Sequence, residues 1–157
     1  MNNIFNEINL DKALVIKVID EACVFNKKVV NILEDFEMDV LPILLNLNFL
    51  AKETGNSFFV ELGQFNYIFP NITNVRLYFG AYDFPEKDGP IFVPISGDFD
   101  PLGTTESISM VQMITRRGTT FLEAVTRNLP KIVKLFSERM KNSEVTLAKL
   151  EALLYNK

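Results

Sequence analysis

Hydrophobic periodicity changes twice along this chain, and the order of the changes restricts the fold. Over 11–37 apolar residues recur every three or four positions (Leu14, Val18, Ala22, Phe25, Val29, Leu33, Phe36). That is the repeat of one helix face. Asp11 stands where an N-cap carboxylate would serve it. Asn26 leaves open whether the segment is one helix or two. A second helix is predicted over 40–54, with Pro42 in its first turn and Gly55-Asn56 as its stop.

The character then changes. Residues 58–99 hold 11 of the 18 Phe and Tyr residues, together with most of the Pro and Gly punctuation. Strands are predicted over 57–62, 75–82 and 90–95, with a short one over 67–69. In 75–82, Val75, Leu77, Phe79 and Ala81 alternate with Arg76, Tyr78, Gly80 and Tyr82, the pattern of a half-buried strand. The turn-rich stretch 83–89 makes 75–95 a hairpin. Pro90 and Pro94 lack an amide donor, so the returning strand is expected at an edge or in irregular pairing.

Helical periodicity resumes in the last third. Residues 105–117 fit either period, and the spacing of Ile108, Val111 and Ile114 favours a helix ended by Gly118. Thr120 and Glu123 match a capping box. From there Leu122, Val125, Leu129, Ile132, Phe136, Met140, Leu147, Leu150 and Leu154 keep a 3.6-residue repeat. Either one helix covers 120–155, kinked at Pro130, or two meet at 141–143. Helices, then strands, then helices argue for one α+β domain over 1–157. Its expected layout is N-terminal helices, a central antiparallel sheet of three to four strands, and long C-terminal helices packing with the N-terminal ones.

Composition removes whole classes of chemistry. The 157 residues include no His, no Trp and one Cys. Ser-His-Asp and Cys-His nucleophile systems, HExxH zinc sites, His-ligated haem and intrachain disulfides are therefore excluded. A chain of this length buries about two-thirds of its unfolded surface, enough to fold without a metal or disulfide. No cofactor is indicated. The first ten residues show no basic segment followed by an apolar run, so no secretory signal is read there. The most apolar stretch, 40–51, falls well short of the ~20 residues of a membrane span. Cys23, in an apolar helical stretch, reads as a buried structural thiol, and the whole fits a cytoplasmic setting.

Charge is unevenly placed. Residues 1–114 carry 7 Lys+Arg and 16 Asp+Glu, a net of −9; residues 115–157 carry 9 and 4, a net of +5. Either the basic C-terminal segment packs beside the acidic part of its own molecule, or one pole meets a protein partner or a second copy. Nucleic acid is disfavoured, because the basic segment offers Tyr155 alone near its end and the rest of the chain would repel phosphate. An amphipathic membrane helix is disfavoured by the absence of Trp and the acidic total.

Four groups of residues could carry a site. Asp98 and Asp100, with Glu106, supply hard-cation ligands, although the spacing is not that of an EF-hand and a solvated turn before Pro101 explains them as well. Arg116 and Arg117 precede Gly118 and a helix start, a setting for a phosphate or carboxylate. Arg76, Tyr78 and Tyr82 share a strand face open to a ligand or partner, unless the terminal helices cover it; Glu61 is placed to pair with Arg76. Arg127, Lys131, Lys134 and Arg139 give the last helix a basic face, whose apolar stripe is either core or a dimerisation seam.

The hairpin sequence VRLYFGAY over 75–82, followed by Phe92, Val93 and Pro94, resembles one found in small uncharacterised bacterial proteins. The resemblance spans about twenty residues, supports the hairpin and implies no activity. With no catalytic constellation in view, the leading expectation is a small cytoplasmic interaction or accessory protein that self-associates. The alternative is an anion-binding domain or histidine-free enzyme built on Arg76 or Arg116 and Arg117.

Overall fold

A computed structural model describes residues 7–63, 72–80, 89–96 and 108–155. Helix α1 spans Lys12–Asp39 without a break at Asn26. Its N-cap is Asp11, whose carboxylate accepts hydrogen bonds from the amides of Ala13 (2.9 Å) and Leu14 (3.5 Å). One residue, Val40, separates it from α2 (Leu41–Glu53), with Pro42 in the first turn.

Strands β1 (Phe58–Gly63), β2 (Ile72–Phe79), β3 (Ile91–Ser96) and β4 (Ile108–Ser109) form one antiparallel sheet in sequence order. Val60 pairs with Leu77, and Leu77 with Phe92, which fixes one face of the sheet as the core face. Pro94 pairs with Val75 of β2, whereas β4 reaches only Ile91 and Phe92. The missing amide of Pro94 thus falls beyond the short fourth strand, as its chemistry requires. The short strand expected over 67–69 lies outside the described residues.

The ambiguous stretch 105–117 is divided: strand β4, then helix α3 (Met110–Thr115). Ser109 caps α3 in a reciprocal box with Gln112. Thr120 is not a cap, because α4 (Thr119–Arg127) already begins one residue earlier with Gly118 as N-cap. The C-terminal helix breaks at Asn128 and runs unbroken through 141–143 as α5 (Leu129–Tyr155). Pro130 sits in the first turn of α5, where it costs no hydrogen bond. The Asn128 side chain donates to the Ala124 carbonyl (2.7 Å) and closes α4.

The helices pack on the core face of the sheet. Val60, Val75, Leu77, Phe79 and Phe92 meet Leu33 and Phe36 of α1, Leu44 and Ala51 of α2, Met110 and Met113 of α3, Phe121, Leu122 and Val125 of α4 and Ile132 of α5 in one cluster. Phe58 stacks on Phe79 with ring centroids 4.8 Å apart, and Phe92 meets Phe121 edge-on at 5.8 Å. The C-terminal helices meet α1 through α4, while α5 packs on α4 and β1.

Candidate functional site

Two surfaces gather the residues that could act on something outside the molecule. The first is the sheet face opposite the core. The register pairs Glu61 with Arg76 and Phe59 with Tyr78, so the four side chains lie together. Arg76 donates from Nη1 to the Tyr78 hydroxyl (3.4 Å) and from Nη2 to Glu61 (3.4 Å). Its guanidinium carbon lies 4.5 Å from the centre of the Phe59 ring. The bond to Tyr78 raises the Arg76 pKa above its ordinary value against partial burial, and Glu61 reinforces it. Arg76 Nε is shut off from solvent without an acceptor. The terminal helices pack on the other face, so they do not cover this one. Tyr82, the third predicted member of the group, lies outside the described residues.

The remaining polar candidates do not converge. Asp98, Asp100 and Glu106 lie outside the described residues, and among those described no cluster of three Cys, Asp or Glu could hold a metal ion. Arg116 is the C-cap of α3. Arg117 follows it at φ 56°, and the amides of Arg117 and Gly118 return to the carbonyls of Ile114 and Met113 (both 3.0 Å), a Schellman closure. Its side chain donates to Asn26, tying this corner to α1. Arg127 belongs to α4 and pairs with Glu123, so it is not part of the α5 face. Lys131, Lys134 and Arg139 are exposed on α5; Lys131 and Lys134 lie on the side away from its apolar stripe.

The second surface is apolar, and charge reasoning missed it. α1 is about 42 Å long at 1.5 Å per residue, but its buried residues, Leu33 and Phe36, are in its last third. The same stripe continues uncovered toward the N-terminus: Leu14 and Val18 are 53% exposed and Phe25 66%. α5 behaves in the same way. Ile132 is fully buried, and the stripe then runs through half-buried Phe136 and Met140 to exposed Leu147, Leu150 and Leu154. Ser143 is the last residue of α5 held by the core, its hydroxyl donating to the side chain of buried Asn56. Both helices therefore overhang the core with their docking stripe still facing outward. Cys23, expected to be buried, is exposed on the α1 overhang.

Between α1 and α4 lies an open groove of about 750 Å³, lined on the α1 side by Phe25, Val29, Ile32 and Phe36 and on the α4 side by Leu122 among threonines. Among the described residues no helix is long and apolar enough to cross a membrane. No family model, curated protein or solved structure matches this chain.

Proposed function

We propose that this is a small interaction or accessory protein that works in a reducing, cytoplasmic setting as a self-associated assembly, with the overhanging faces of α1 and α5 as its contact surfaces. One observation carries the reading: on each helix, the stripe that enters the core continues past it without cover. Isolated apolar side chains on a surface are ordinary, whereas a contiguous helical stripe marks a docking face. A second copy is the occupant, because it would present a matching stripe and both could be buried together. The exposed lone thiol of Cys23 is compatible with a reducing compartment. The competing anion-binding reading is weakened because Arg76 and Arg117 already engage Tyr78, Glu61 and Asn26.

Native mass spectrometry and light scattering across a concentration series test this. The expected result is a concentration-dependent dimer or larger species that returns to monomer when Phe25→Glu and Leu150→Glu are combined. A chain that stays monomeric up to high micromolar concentration would overturn the reading.

A further inference from the structure

The apolar positions of α1 carry more information than their exposure. Val18, Ala22, Phe25, Val29, Ile32 and Phe36 are spaced 4, 3, 4, 3, 4. This is the alternation of a and d positions in a coiled-coil seam, here sustained along one unbroken helix. Val29, Leu33 and Phe36 at the C-terminal end meet their own core, yet Ile32 keeps 58% of its surface exposed and, with Phe25 and Val29, lines the groove beside α4. Each molecule therefore has an exposed stretch of helical stripe (Leu14, Val18 and Ala22, with Val15 partly buried) and, at the other end of the same helix, a groove shaped by a helix pair.

We infer that, in the self-associated form on which this inference rests, α1 of one copy lies antiparallel to α1 of a second, so that the N-terminal overhang of each fills the α1–α4 groove of the other. The chain's own apolar spacing sets the register. Placing Ala22 beside the partner's Phe25 brings Val18 to the partner's Val29 and Val15 to the partner's Ile32. The flanking positions then match in charge. In this register Glu21 faces the partner's Lys28, and by two-fold symmetry Lys28 faces the partner's Glu21. Lys28 stands on the wall of the groove that the partner's overhang would enter. Among the described residues, Glu21 meets Lys17 at 4.0 Å, with both side chains exposed. A parallel arrangement would not bring Glu21 and Lys28 together.

The area is sufficient for a specific contact. Leu14, Val18, Ile19, Phe25 and Ile32 are each more than half exposed. At about 100 Å² each, with Val15, Val29 and the α4 wall added, the face removes roughly 600 Å² per copy, at the lower limit for stable interfaces. Leu150 and the rest of the α5 overhang are not used in this contact.

The single cysteine makes the arrangement measurable in the unmodified sequence. Cys23 lies next to the two-fold axis and points away from the seam, so a nitroxide attached there leaves the contact intact. Pulsed electron resonance on the 157-residue chain should give an inter-label distance of about 15–25 Å, from a helix separation of 8–10 Å and an axial offset of about one residue. Glu21→Lys alone and Lys28→Glu alone should each raise the dimer Kd at least about fourfold at low salt, and the double reversal should restore it. A dimer whose labels lie beyond ~40 Å, or whose double reversal shows no rescue, overturns this register while leaving self-association standing. A chain that is monomeric throughout removes both. All three positions are exposed, so none of these substitutions endangers folding.

Discussion

Gly80 shows how narrowly a single residue can be specified. It follows β2 at φ 72°, and its amide donates to the Asn48 side chain of α2 at 2.7 Å. A Cβ added there would lie 2.9 Å from the Lys52 backbone nitrogen and 3.0 Å from the Ala51 carbonyl carbon. Both the conformation and the space exclude a side chain, because the neighbouring atoms are helix backbone and cannot rotate away. Gly80→Ala should therefore destabilise the fold by roughly 2–3 kcal/mol, seen as a lower urea midpoint at unchanged slope. A midpoint within error of the parent would show that α2 and the end of β2 do not approach this closely. Arg117 makes the opposite choice: a non-glycine residue at positive φ, in a position that glycine usually fills, held by its own hydrogen bond to Asn26.

At the scale of the element, the two long helices each divide into a docked and an undocked part, and mutational cost should follow that division. Ile132 is fully buried among core residues, so Ile132→Ala should cost about 2–5 kcal/mol. Leu154 continues the same stripe beyond Ser143 and is 53% exposed. Leu154→Glu should change stability, measured on dilute protein, by less than about 0.5 kcal/mol. Equal costs at the two positions would mean that the distal half of α5 is covered after all. The contrast also marks what the sequence could convey. The alternation of Val75, Leu77 and Phe79 named the core face of β2 correctly, because a strand period of two leaves little choice. The helical repeat on α5 named the apolar face equally well, but a period says which residues share a face and nothing about what lies against it. The helix break at Asn128 is not legible for a similar reason: Pro130 is compatible with a kink or with a first turn, and only the closure of α4 by Asn128 decides for the latter. Ser109 and Gln112 fit the capping-box pattern as well as Thr120 and Glu123 do, and the two-residue strand β4 is too short to show a period. The Arg76 cluster is legible in part, since strand alternation and pairing put Glu61 and Tyr78 beside it; Phe59 follows only from the register of β1 on β2.

Across the whole molecule, the split between a net −9 and a net +5 invites a picture of two poles drawn together, but the charges along α1 do not follow it. Residues 12–28 of α1 carry Lys12, Lys17, Lys27 and Lys28 against Asp20 and Glu21, a net of +2 within the acidic half of the chain. Glu34, Asp35, Glu37 and Asp39 crowd the docked end instead. Association through the α1 face would then rest on apolar burial, helped by two symmetric Glu21–Lys28 pairs worth about 0.2–1 kcal/mol each. Full screening of both can weaken the dimer by at most about thirtyfold. Sedimentation equilibrium in 50 mM and 1 M sodium chloride should show a rise in Kd within that limit. Sodium sulfate at matched ionic strength should give a tighter dimer than chloride, because an excluded salt strengthens apolar burial while screening charge to the same degree. A Kd that rises by several hundredfold in chloride, or that is no tighter in sulfate, would mean that charged poles and not helical stripes hold the copies together.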